Sequence, residues 1–133
     1  MQLSCYLSFN GQCAAAFAVY AKALGGTITF TQKYGESPMK DQVPADWHDK
    51  IMHTTLKIGD NVLMGADAPP EQYAPAQGMS VSVGAIDPAE GERIFKALSE
   101  NGKVTMPFQK TFWSPGFGAT VDRFGISWLV NCE

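Results

Sequence analysis

Alternating apolar and polar positions cut the chain into short elements. Leu3, Cys5, Leu7 and Phe9 alternate with Ser4, Tyr6 and Ser8, the period-two mark of a strand with one face on a core. After Asn10-Gly11, the apolar residues Cys13, Phe17, Tyr20, Ala21 and Leu24 fall at helical spacing that stops at Gly25-Gly26, and a strand is expected over 27–33. Gly35, Pro38, Pro44 and several charges make 34–49 a long loop with room for a helical turn, of a kind often functional or mobile. Segments 51–58 and 61–65 read as a hairpin around Gly59-Asp60.

Beyond a proline-bearing linker at about 68–77, the pattern starts again. Met79, Val81 and Val83 alternate with Ser80 and Ser82, which predicts a strand. Asp87-Pro88-Ala89-Glu90 is a helix start, with Asp at the N-cap, Pro at the first helical position and Glu at the third. That helix is expected to run to about Glu100, with strands following near 103–106, 118–122 and 126–131. Local phrases repeat as well. Lys22-Ala23-Leu24, a glycine stop and Thr27-Ile28-Thr29-Phe30 return as Lys96-Ala97-Leu98, Gly102 and Lys103-Val104-Thr105-Met106. Both halves therefore read strand, helix, strand, strand, strand. Two βαβββ modules, about 1–67 and 78–133, imply an α+β single domain, a curved mixed-sheet cup with helices on its outer face. A paired fold of this kind usually builds its pocket between the copies.

Composition narrows the function. The 133 residues carry ten basic and thirteen acidic side chains, a net charge of −3, with no basic run, which argues against nucleic acid or an anionic membrane as partner. Cys5, Cys13 and Cys132 are odd in number and lack CxxC spacing, as expected for a reducing compartment. With no basic, apolar leader pattern and no segment of membrane-spanning length, a cytoplasmic protein is expected.

Three phrases carry a resemblance: Tyr6-Leu7-Ser8-Phe9-Asn10-Gly11; Met52-His53-Thr54-Thr55-Leu56 with Ile58-Gly59-Asp60; and Phe112-Trp113 with Asp122-Arg123-Phe124-Gly125-Ile126-Ser127-Trp128. In this order the chain resembles the vicinal oxygen chelate superfamily of glyoxalase I and bleomycin-resistance proteins, and more narrowly its bacterial PhnB-like branch. The resemblance implies the glyoxalase/bleomycin-resistance cup and a homodimer, sometimes formed by module exchange. It also implies a place to look for metal, because metal-dependent members use His, Gln or Glu on the first and last strand of each module. Here those positions fall on Ser4 or Cys5, Leu63 or Met64, Ser80 or Met79, and Leu129, with alternation favouring Ser4, Ser80 and Leu129 toward the cup. A hydroxyl, a thioether and an aliphatic chain do not hold a divalent ion, so no metal and no cofactor are expected.

Other residues become candidates through their strand face. His53 shares a face with Thr55 and Lys57, opposite Met52, Thr54, Leu56 and Ile58, and serves either as general base or polar anchor, or as a hydrogen-bonded structural histidine. Tyr6 is the second acid–base candidate; with Ser8 it would line the cup from one module, as Ser80 and Ser82 would from the other. Met64 and Leu129 add apolar lining, and Trp113 beside Phe112 a lid or stacking surface, or a dimer contact. Trp128 is expected in the core, His48 in solvent, and Cys5 as a buried thiol. No GxGxxG or P-loop follows a strand, which speaks against the 3-demethylubiquinone 3-methyltransferase label that members of the branch often carry. The expectation is a metal-free protein that binds a small molecule. The alternative is a metal-independent enzyme acting on a small oxygenated metabolite.

Overall fold

The computed structural model describes residues 1–133. The chain divides into two compact units, Met1–Pro75 and Ala76–Glu133. In the first, β1 (Cys5–Phe9), α1 (Cys13–Leu24), β2 (Thr27–Lys33), β3 (Ile51–Ile58) and β4 (Asn61–Asp67) form a sheet of order β1-β4-β3-β2. β1 runs parallel to β4, and the other pairs are antiparallel. The second unit repeats this with β5 (Val81–Ala85), α2 (Pro88–Ser99), β6 (Lys103–Gln109), β7 (Phe117–Val121) and β8 (Ser127–Cys132), in the order β5-β8-β7-β6. Two βαβββ modules with mixed sheets give the α+β class expected from the pattern.

Each helix covers one face of its own sheet. α1 buries Cys13, Ala16, Phe17, Tyr20 and Ala23 against Phe9, Leu56 and Leu63, and Phe17 meets both Phe9 and Tyr20 edge-on. Full burial of a large apolar side chain here contributes about 2 kcal/mol. The helix stops where expected because Gly25 takes φ 70°, the left-handed region that side chains avoid. α2 buries Ile94, Phe95 and Leu98, and its start is the predicted cap: Asp87 accepts from the Glu90 N–H at 2.8 Å, while the Glu90 carboxylate accepts from the Ile86 N–H at 2.9 Å.

A buried carboxylate ties each module together. Asp67, at the end of β4, accepts from the Cys13 N–H and the Ile51 N–H, both at 2.9 Å, and so joins helix start, β3 start and β4 end. Asp122, after β7, accepts from the backbone N–H groups of Phe124 and Ile126 and from the indole Nε1–H of Trp128, which is fully buried as expected. Charge-assisted bonds of this kind fix a turn more firmly than neutral ones.

Several element limits differ from the sequence pattern. β1 starts at Cys5 rather than Leu3, and β5 at Val81 rather than Met79, so Ser4, Met79 and Ser80 precede their strands. Segment 34–49 is not a loose loop. It holds three single 3-10 turns, pinned by the buried Tyr34 hydroxyl donating to the Asp67 carbonyl at 2.8 Å and by the Gly35 N–H donating to the His48 carbonyl at 3.0 Å. His48, expected in solvent, is half-buried with Nε2 2.9 Å from the Lys40 carbonyl oxygen. Cys5 is half-buried rather than buried.

The outer strands carry a feature that alternation could not show. Ile28 pairs with Leu56 and Phe30 with Thr55, so β2 advances two residues while β3 advances one. The extra residue, Thr29, is a bulge that turns Phe30 onto the face opposite Ile28. β6 repeats the device: Val104 pairs with Thr120 and Met106 with Ala119, with Thr105 as the extra residue. A second register shift leaves Met52 unpaired between Ile51 and His53. Ile51 is therefore buried, in place of the Met52 that strict alternation would bury.

Candidate functional site

The face of each sheet away from its helix can be read row by row, because directly paired residues point to the same side. In the first module Tyr6 (β1) pairs with Met64 (β4), Met64 with Thr55 (β3), and Thr55 with Phe30 (β2). The β1–β4 pairing sets Ser8 beside Ala66, and Gln32 pairs with His53 in the same direction along the sheet. His53 thus stands one step along β3 from the Tyr6 row, within reach of it.

The polar side chains on this face join into one chain. Tyr6 Oη lies 3.0 Å from His53 Nδ1, and His53 Nε2 lies 3.0 Å from Thr55 Oγ1. Two aromatic rings flank the imidazole, Tyr6 with ring centres 5.5 Å apart and Phe30 with 5.8 Å. Tyr6 and Phe30 are each 51% exposed, so the cluster faces outward from the sheet rather than into its core. Partial burial, with smaller contributions from Cys13 and Tyr34, pushes the Tyr6 phenol up from its ordinary value, and it stays protonated near neutrality.

The sequence brought forward Tyr6, Ser8, His53, Thr55 and Met64 on this module. The structure gathers Tyr6, His53, Thr55 and Met64 into one patch, with Ser8 exposed beside it. It adds Phe30 and Gln32, which pattern reading missed. The only signal for them was the Thr27–Lys33 strand itself, and the bulge at Thr29 made its faces unreadable.

In the second module the corresponding row is Ser82, Leu129, Ala119 and Met106, followed by Gly84, Asn131, Phe117 and Gln109. Phe117 holds the register place of His53, and Gln109 that of Gln32. Trp113 is 54% exposed and packs edge-on between Phe112, with ring centres 4.7 Å apart, and Phe117, at 5.4 Å. Ser80 falls outside the central row; its Oγ pairs with Ser127 Oγ at 2.7 Å. The Asn131 Oδ1 atom is buried without a hydrogen-bond partner.

Of the positions the resemblance marked, Cys5 pairs with Leu63, while the first-strand residues beside Met64 and Leu129 are Tyr6 and Ser82, and Ser4 and Ser80 precede their strands. Alternation fixes a strand's face, whereas position along it comes from pairing with a neighbour. A protonated phenol with a thioether, and a hydroxyl with an isobutyl group, offer no anionic or imidazole ligand set. Nowhere do three His, Cys, Asp or Glu side chains converge. The residues present do not fit a divalent ion at the superfamily position.

Comparison with known proteins agrees with this architecture. The chain is 36% identical over 139 residues to protein YjdN of Escherichia coli K12, covering 98% of this chain and 95% of that one. Protein PA1353 of Pseudomonas aeruginosa is 46% identical over 100% of this chain and 98% of its own, with a TM-score of 0.91. A PhnB protein from Bacillus cereus shares the fold at 21% identity over 100% of both chains, TM-score 0.85. So does a bleomycin-binding protein from Streptomyces verticillus, solved with copper(II)-bleomycin, at 15% identity over 100% of this chain and 96% of that one, TM-score 0.62. These neighbours place the fold with the bleomycin-resistance type. The model of the 3-demethylubiquinone-9 3-methyltransferase family matches residues 1–131, and with that coverage the chain belongs to this family.

Proposed function

We propose that the chain binds a small molecule on the open face of its first module, without metal, and that Tyr6, His53, Thr55, Met64 and Phe30 contact it. The observation that carries this is the continuous Tyr6–His53–Thr55 chain, exposed between two aromatic rings and a methionine. A few polar groups set in apolar lining are what a small-molecule site requires. The shared fold of the bleomycin-binding protein supports the reading at the level of architecture. The corresponding face of the second module, with Ser82, Leu129 and Trp113, is proposed as a second small-molecule surface in its own right; Ser8 lies beside the first face and Ser80 precedes the strand that edges the second.

The methyltransferase activity in the family description is not proposed. Each module has a single parallel strand pair in a four-stranded sheet, and the turn from β1 into α1 carries one glycine, Gly11, where a nucleotide-like cofactor would need a glycine-rich loop. A metal-independent enzyme using His53 or Tyr6 as acid or base is the second reading. It stands second because both ring nitrogens of His53 are already engaged, and accepting a substrate proton would break one of those bonds.

The reading further treats the chain as one cytoplasmic domain of two modules that forms a homodimer, with no nucleic-acid partner. No helix is long and apolar enough to cross a membrane, and the net charge of −3 supports the absence of nucleic acid. Exposed Ile28 and Val104, on the outer strands β2 and β6 and on the faces opposite Phe30 and Met106, support a contact with a second copy.

The test is a metabolite screen by thermal shift and by turnover on wild type, His53→Ala and Trp113→Ala. Binding predicts a compound that stabilises wild type, loses its effect on His53→Ala and is not converted. A turnover that His53→Ala abolishes while ligand-induced stabilisation survives would establish the enzyme instead.

A further inference from the structure

The two hydrogen bonds on His53 can run in only two directions when the ring is neutral. Either Tyr6 donates to Nδ1 and Nε2–H donates to Thr55, or Thr55 donates to Nε2 and Nδ1–H donates to Tyr6. Acidity separates them. A phenol is a stronger donor than an aliphatic alcohol, and an imidazole lone pair is the strongest acceptor in the group. An alcohol oxygen, in turn, accepts better than a phenol oxygen, whose electron density is drawn into the ring. The first direction makes both stronger pairs at once.

We infer that the chain runs from the Tyr6 hydroxyl through His53 to the Thr55 oxygen, leaving the Thr55 hydroxyl proton as the donor offered to an acceptor oxygen of the ligand. The inference deepens the binding reading above and rests on it. Thr55 Oγ1 makes no other hydrogen bond, and the residue is half-buried, so its proton has the open face as its outlet. Its register neighbours on that face are Met64 on one side and Phe30 on the other. The ligand class follows: a carboxylate, carbonyl or phosphoryl oxygen over Thr55, attached to an apolar body lying on Met64 and Phe30. The Tyr6 hydroxyl is then a positioning group that fixes the histidine tautomer, while its exposed ring remains part of the contact surface.

The experiment has a ligand-free arm and a probe arm. The ring nitrogens of His53 are observed by nitrogen-15 NMR at mildly alkaline pH, in a His48→Gln background that leaves a single ring. The expected spectrum shows hydrogen on Nε2, and Tyr6→Phe mixes the tautomers. Hydrogen on Nδ1 in wild type overturns the inference. The probes are hexanoate, which carries an acceptor oxygen on an apolar chain, and hexylamine, which carries only donors. Hexanoate should shift the Thr55 and Phe30 signals, hexylamine should not, and Thr55→Val should weaken hexanoate roughly tenfold while Thr55→Ser keeps most of it. Equal binding to wild type and Thr55→Val overturns the role of Thr55. Hexanoate bound with the wrong tautomer defeats this inference alone, whereas silence of every open-face signal to both probes defeats the binding reading with it.

Discussion

The open faces of the two modules share one topology and differ in chemistry. Row for row, Tyr6, Met64, Thr55 and Phe30 correspond to Ser82, Leu129, Ala119 and Met106, and His53 corresponds to Phe117. The first module keeps a connected donor–acceptor chain where the second has aliphatic and aromatic surface with one hydroxyl, Ser82, and two amides, Asn131 and Gln109. What both keep is the frame: a helix over the core face and a bulge at the same place in the outer strand; each also has one buried carboxylate tie, but at different places, Asp67 at the end of β4 and Asp122 in the turn from β7 to β8. The two modules match in packing and differ on the exposed face, because packing constrains the core side of every strand and leaves the other side free.

If the frames are equivalent, the largest effects should fall equally on both. Leu56→Ala and Leu98→Ala each remove a fully buried side chain, and each should cost about 3 kcal/mol in denaturant unfolding. A cost confined to one module would show that only that module supports the fold.

Exchanging residues between the faces tests the difference directly. His53→Phe, which installs the second module's residue, should weaken whichever compound stabilises wild type by roughly tenfold or more, with a change in stability below about 1 kcal/mol. The reciprocal Phe117→His should leave that affinity within about twofold. Equal losses would mean that both faces share the ligand, measured in each case by calorimetric titration.

Alkaline pH should separate the modules next. Burial, aided by the neighbouring Asp67, pushes the Cys13 thiol well above its ordinary value of 9.0, and burial also raises Tyr6 and Tyr34 above 10.0. In the second module only Cys132 is raised, again chiefly by burial. A group raised in the folded state contributes its full stability below the unfolded value and loses it as pH climbs toward the folded one. Stability should therefore fall from about pH 9 upward, and Cys13→Ala should flatten that limb more than Cys132→Ala. The smallest effect belongs to Trp113→Ala, which should change unfolding stability by about 0.5 kcal/mol, since its ring packs only at the surface.

Much of the frame was legible in the chain. The Asp87-Pro88 cap, the glycine stop after Leu24 and the alternation in β1 each depend on a few adjacent residues, and each appeared where expected. The placement of His53 and Thr55 on one face was legible too, since strand period alone sets it. The partners were not. That Tyr6 reaches His53 depends on β4 lying between β1 and β3, a pairing across 47 residues that no local pattern encodes. Which first-strand residues stand beside Met64 and Leu129 was hidden for the same reason.

By itself, then, the sequence determined the two-module order, the helix limits and the core faces of the unbulged strands, because those follow from residue type and short-range periodicity. Tertiary structure alone decided which rows align, that Thr29 and Thr105 bulge, and that Phe30 turns to join the imidazole. Strand register is fixed by hydrogen bonds between segments distant in the chain, and a single unpaired residue reverses every face beyond it.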